Sequence, residues 1–159
     1  MIISIKKAEK ISKLFKNRGK KIGLCHGCFD IFHFGHANYL KKAKTFCDVL
    51  FVSVSPDRFV KKGKNRPIFG CKHRINVVSS IRHADYVFSN TQRTALDSIA
   101  KIKPNFYFKG NDYNKKTSKN YKLFCKEKTA ICKIKGKTIL LKEPAYSSTK
   151  ILRKIGTDK

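Results

Sequence analysis

Ile22-Gly-Leu-Cys-His26 runs directly into Gly27-Cys-Phe-Asp-Ile-Phe-His-Phe-Gly-His36, and Val49-Leu-Phe-Val-Ser-Val54 follows one helix length later. The first and third stretches are short and apolar, and the third is also β-branched, which reads as two buried strands. The intervening residues carry two glycines and then a helix predicted from about Gly35 to Phe46. Strand, loop, helix and strand in that order make a parallel crossover unit.

Outward from this unit the same alternation continues. Upstream, Ile5, Ala8, Ile11, Leu14 and Phe15 form an apolar stripe, so a helix is predicted from Lys6 to Asn17, ending at Gly19. Downstream, helices are predicted at Cys71–Ile81 and Thr94–Ile102, and strands at Tyr86–Ser89 and Asn105–Phe108. Beyond a lysine-rich segment come weaker strand signals at Ala130–Ile134 and Thr138–Leu141, then a helix starting near Ser147. The expected architecture is a doubly wound α/β parallel sheet in one compact unit, with residues 1–20 as an N-terminal helical segment and 21–159 as the sheet domain. Ligands of such sheets sit beyond the strands' carboxyl ends, where the winding reverses. The loops after the first and fourth strands are therefore the places to look for chemistry.

The first loop has that character. Gly27 permits close backbone approach and Gly35 a tight entry into the helix, whose first N–H groups suit a phosphate. His33 and His36, three residues apart at that entry, can face one anion. After the fourth strand, Lys109-Gly110-Asn111-Asp112-Tyr113 places a cation and an acceptor at a turn. Ser147-Ser148-Thr149 offers three hydroxyls at a helix start.

Of the 159 residues, 37 are Lys or Arg and 10 are Asp or Glu, a formal charge of +27. Such an excess favours polyanions. No nucleic-acid-binding module is recognisable and few aromatics interleave the basic residues, so a nucleic-acid partner is the rival reading rather than the leading one. No apolar run approaches the roughly 18–20 residues a membrane helix needs, and no signal-like leader is evident, so a cytoplasmic protein without membrane association is expected. Six cysteines are scattered, and Cys25-His-Gly-Cys28 has no second close pair; free thiols and no protein-held metal are expected.

His33-Phe-Gly-His36 resembles the His-x-Gly-His signature of the cytidylyltransferase-like nucleotidyltransferase superfamily, and Gly27-Cys-Phe-Asp30 resembles the Gly-x-Phe-Asp that precedes it there. The likeness extends through Lys61-Lys-Gly-Lys-Asn-Arg-Pro-Ile68, Arg74, Ile81-Arg82, Lys109–Tyr113 and Tyr146-Ser-Ser-Thr149. Its Arg-Pro-Ile and Lys-Gly-x-Asp-Tyr segments look most like the adenylyltransferase domain of bifunctional ADP-heptose synthases, and next like glycerol-3-phosphate cytidylyltransferases. Pro144-Ala-Tyr146 stands where related motifs often carry Arg or Gly.

The resemblance implies a Rossmann-like fold and transfer of AMP or CMP from a triphosphate to a phosphorylated sugar or polyol, with Mg²⁺ on the triphosphate. It implies catalytic roles for His33, His36 and Arg74. Nucleotide contacts would come from Gly27, Cys28, Phe29, Asp30, Gly35, Lys109, Gly110, Asp112, Ser147, Ser148 and Thr149. Acceptor contacts would come from Lys61, Lys62, Lys64 and Arg82, the last matching the cytidylyltransferase branch alone. Both imidazoles would be expected to be protonated near phosphate, and a homodimer is plausible for such a chain.

Overall fold

The structure, a computed structural model, describes residues 1–60, 63, 65–110, 113, 121–141, 148–154 and 156. Lys61, Lys62, Lys64, Asp112 and Ser147 lie outside the described residues. The described elements are α1 (Ile5–Asn17), β1 (Ile22–Gly27), α2 (Phe34–Lys44), β2 (Val49–Val54), α3 (Cys71–Ser79), β3 (Tyr86–Ser89), α4 (Leu96–Ile102), β4 (Phe106–Gly110), α5 (Tyr121–Lys133), β5 (Lys137–Leu141) and α6 (Ser148–Lys154). A 3₁₀ turn at Asp57–Phe59 follows β2.

The five strands form one parallel sheet in the order β3-β2-β1-β4-β5. Winding runs outward from β1 through β2 to β3, then returns to β4 on the other side of β1. The reversal therefore falls between β1 and β4, as the strand and helix pattern predicts. Alternate side chains of each strand feed two cores. Cys25, Leu50, Val52 and Val54 pack with Leu40 of α2 and Val78 of α3. Ile22, Leu24, Val49 and Phe51 pack on the opposite face with Ala8 of α1, Ile99 of α4 and Ile131 of α5.

The α1 segment belongs to that second core. Ser4 accepts from the Lys7 N–H to start the helix, and Ser12 Oγ donates to the Ile102 carbonyl at 2.6 Å. Residues 1–3 run along the edge of β3, with Ile3 N–H donating to Val87 O and Val87 N–H to Met1 O, which covers an edge otherwise open to pairing. Leu14, expected in the buried stripe, is 48% exposed, because the helix turns it away from the Ala8 and Ser12 face. Gly23 in β1 is required by close packing. A Cβ there would lie 2.6 Å from Cys47 Sγ and 2.9 Å from the Phe108 ring.

One element departs in type from the sequence reading. Ala130–Ile134 was expected as a strand, yet Ala130 to Lys133 form the last turn of α5. The run Thr129-Ala-Ile-Cys-Lys-Ile has strand-like composition, but burial here follows helical spacing: Phe124, Glu127 and Ile131 face inward. Tertiary packing on α4 and β4 overrides local propensity.

Candidate active site

The loop leaving β1 is held by a buried ionic clamp. Asp30, 2% exposed, accepts from Arg66 Nε at 2.6 Å, from Ile68 N–H at 2.8 Å and from Phe69 N–H at 3.2 Å. Arg66 Nη2 also donates to Ser148 Oγ at 3.0 Å. One guanidinium thus ties the Gly27–Asp30 loop to the start of α6. Asp30, read from sequence as a nucleotide contact, has both carboxylate oxygens engaged by protein donors. Its work is to position Arg66 and the 66–69 segment.

Arg74 is likewise inside the protein. Its Nε donates to Phe69 O at 2.8 Å, Nη1 donates to Cys28 O, and Nη2 donates to Ser55 O and Asp57 Oδ1, both at 2.7 Å. Asp57 in turn accepts from Cys71 N–H at 3.1 Å, at the start of α3. With its side chain at 0% exposure, Arg74 fixes the loops after β1 and β2 from beneath. Each of its guanidinium nitrogens donates to a protein acceptor in this structure.

His33 caps α2, its Nδ1 accepting from Gly35 N–H at 3.1 Å. A ring that accepts at Nδ1 carries its proton on Nε2, so Nε2 is the donor. The His36 ring stacks on His33 with centroids 4.0 Å apart and planes 23° from parallel. Phe29 meets His36 edge-on at 5.3 Å and Phe32 lies at 5.4 Å. Two cationic rings at that separation would repel by about 4 kcal/mol at an effective dielectric near 20. With Nδ1 committed to Gly35 N–H, Nε2 is the nitrogen that His33 can present as a donor. Phe29 takes a positive φ of 51°, which turns the chain so that its ring lies against His36.

On the other side of β1 the carboxyl end of β4 delivers Lys109, 3% exposed. Its Nζ lies 3.3 Å from Glu127 Oε2 and sits 4.4 Å above the Tyr113 ring. Glu127, on α5, also accepts from Ala95 N–H and from Tyr107 Oη, both at 2.8 Å. Burial and the neighbouring Glu127 carboxylate push the Tyr107 hydroxyl well up, so it remains a donor. A cleft opens here between the ends of β1 and β4, with His26, Gly27, Cys28, Ser55, Arg93, Thr94, Lys109 and Tyr113 on its walls.

His26 forms the cleft floor, pairing with Ser53 Oγ at 2.8 Å and Ser55 Oγ at 3.4 Å. Burial, reinforced by the Lys109 charge, pushes it down to about 3. Unfolded, the ring titrates near its ordinary 6.5, so the unfolded chain gains a proton first and stability falls as pH drops from 6.5 toward 3. Denaturant melts at pH 7.5 and 5 should show the wild type losing about 2 kcal/mol more than His26→Asn. Equal losses would remove His26 as the source.

The remaining sequence-predicted residues divide. Gly110 ends β4 beside Lys109, Gly35 opens α2, and Ser148 (4% exposed) and Thr149 open α6. Arg82 does not join them. It lies after α3 and before β3, exposed beside His83, Lys41 and Lys44, at the amino ends of the strands. Because α3 runs back across the sheet, its last residues finish opposite the site. Cys25 faces the core, where burial raises its thiol strongly, whereas Cys28 lines the cleft 3.8 Å from Arg74 Nη1. Among the described residues no three His, Cys, Asp or Glu side chains cluster to hold a metal, and no helix is long and apolar enough to cross a membrane. Sequence reasoning missed Arg66 as a clamp, Glu127 and Arg93. For Glu127, the signal was the Phe124, Glu127, Ile131 spacing.

Comparison with known proteins places the chain in a family. The cytidylyltransferase-like family model matches residues 24–154. The bifunctional protein HldE of Campylobacter curvus is 41% identical over 115 residues, and that of Nitratiruptor sp. 44% over 110. These alignments cover 70% and 68% of this chain but 25% and 24% of the relatives, so the chain spans about a quarter of their length. A lipopolysaccharide core biosynthesis protein from Thermoplasma volcanium superposes with a TM-score of 0.63 at 24% identity, covering 81% of this chain and 100% of its own. Pantoate-beta-alanine ligase from Francisella tularensis gives 0.63 at 18% identity, covering 93% and 69%. At those identities the two structures speak to the fold alone. With the family match spanning nearly the whole sheet and the histidine pair seated where β1 meets α2, the chain belongs to the cytidylyltransferase-like family of nucleotidyltransferases.

Proposed function

We propose that the chain transfers AMP or CMP from ATP or CTP to a phosphorylated sugar or polyol, heptose 1-phosphate-like, with release of pyrophosphate. The observation that carries this reading is the His33–His36 stack at the start of α2, beside the β1/β4 reversal. An oxygen of the acceptor phosphate attacks the α-phosphorus in line. A new P–O bond forms, the α–β bridging bond breaks, and its electron pair leaves with pyrophosphate. The acceptor oxygen is already ionised, so no protein nucleophile or strong base is required. His33 Nε2–H and His36 contact the α-phosphate, where donors aimed at growing negative charge accelerate the step. Ser148, held to the β1 loop through Arg66, and Thr149 beside it bind the leaving phosphates.

Mg²⁺, when bound, offsets triphosphate charge. Asp30 and Asp57 are already bound to Arg66 and Arg74. The fit is therefore to an ion carried largely by phosphate oxygens and water rather than by a carboxylate cage. Support for ATP and a heptose-type acceptor comes from the ADP-heptose-synthase likeness and the HldE relatives. The cytidylyltransferase-type match at Arg82 loses its force as a substrate contact, since that residue sits at the far end of the sheet. A pyrophosphate-release screen of four triphosphates against heptose 1-phosphate and glycerol 3-phosphate tests the proposal. Release with ATP or CTP and a phosphorylated acceptor is expected. No release with any pair would overturn it.

A further inference from the structure

Arg93 lies in the turn between β3 and α4, on the wall of the cleft nearest α4 and α5. That turn is irregular, yet it is pinned by buried polar groups from several elements. Asn90, 2% exposed, donates to the carbonyls of Gln92 and Thr94 at 2.6 and 2.7 Å, and is itself fixed by Ser98 Oγ at 2.8 Å. Glu127 receives Ala95 N–H at 2.8 Å, and the His26 ring meets the Arg93 backbone. Burying Asn90, Ser98, Glu127 and His26 to hold five loop residues is costly unless each is satisfied, and each is. The loop held in this way sets Arg93 on the cleft wall, with its backbone against His26.

Charge decides what that side chain meets. Lys109 also lines the cleft, but Glu127 neutralises it at 3.3 Å. Arg93 has no acidic partner among the described residues. It is therefore the unneutralised cation of the cleft among those residues, with Ser55 and Thr94 hydroxyls on the same walls. The histidine pair lies at the start of α2, on the sheet face opposite α4 and α5. In-line displacement needs nucleophile and leaving group on opposite sides of the phosphorus. With Ser148 on the Arg66 side of the β1 loop, the cleft supplies the nucleophile's side.

Resting on the proposed nucleotidyl transfer, we propose that Arg93, rather than Lys109, binds the phosphomonoester of the acceptor and that the acceptor enters from the α4/α5 side. Arg93 is then a substrate-binding residue whose fork pairs with two phosphate oxygens. In the pyrophosphate-release assay, Arg93→Gln should raise the acceptor KM by about 10- to 100-fold, with the triphosphate KM within about two-fold of wild type. Arg93→Lys should fall between them. An unchanged acceptor KM, or a rise confined to the triphosphate, overturns the assignment.

A second measurement does not depend on turnover. Phenylglyoxal modification of Arg93, read by peptide mass, should be slowed by inorganic phosphate and unaffected by a nonhydrolysable nucleotide alone. Protection by nucleotide but not by phosphate would assign Arg93 to the triphosphate and sink the inference. A wild type that releases no pyrophosphate with any acceptor defeats the proposed function, and the protection experiment still decides the role of Arg93.

Discussion

His36→Ala is expected to lower kcat for nucleotidyl transfer by about 10²- to 10³-fold, the scale on which loss of one preorganised oxyanion donor slows other enzymes. The triphosphate KM should change far less, because an interaction that strengthens as charge builds on the α-phosphoryl oxygens appears in kcat. The larger effect is expected at His36 because of how its ring is held. Its ring is held against His33 at 4.0 Å and against Phe29 at 5.3 Å and Phe32 at 5.4 Å, so its direction is set before substrate arrives. His33, by contrast, is committed at Nδ1 to Gly35 N–H and also caps α2. Alanine at position 33 would disturb the helix start as well as the chemistry, whereas alanine at 36 leaves the cap intact. Pyrophosphate release measured beside a thermal melt separates the two effects. Wild-type turnover by a folded His36→Ala variant removes the residue from the mechanism.

Much of this could be read in the chain before any coordinates. β2 and β3 coincide with the runs Val49–Val54 and Tyr86–Ser89 read from the sequence, and alternation with helices already implied parallel crossovers. The loop after β1 stands out because two histidines flank a glycine directly after a buried strand. What the sequence could not show is which partner a charged residue meets. Asp30 and Arg74 stand out by type, but their roles depend on Arg66, 36 positions from Asp30, and on the Cys28 carbonyl, 46 positions from Arg74. Arg82 illustrates a different failure. It was legible as basic and family-like, yet a residue between a returning helix and the next strand must finish at the strands' amino ends. Glu127 was lost because the stretch Ala130–Ile134, read as a strand, concealed the last turn of a helix.

Glu127→Gln is expected to destabilise the fold by about 3–5 kcal/mol, the usual cost of leaving one member of a buried ion pair without its partner. Lys109 Nζ sits 3.3 Å from the carboxylate, and both side chains are 4% exposed. With the carboxylate neutralised, the ammonium remains buried against Tyr107 and Tyr113, whose rings offer attraction but no counter-charge. Gln keeps a single acceptor oxygen, so one of the two donors, Ala95 N–H on Oε1 or the Tyr107 hydroxyl on Oε2, would face an amide NH2 instead. Lys109→Met alone should be costly for the converse reason, an unpaired carboxylate among buried groups. The double variant should cost clearly less than the two single losses summed, because it removes both charges at once. Urea melts of the four proteins measure this coupling. Strict additivity would mean that Lys109 and Glu127 do not compensate each other. Lys109 would then regain an uncommitted charge and become a competitor to Arg93 for the acceptor phosphate.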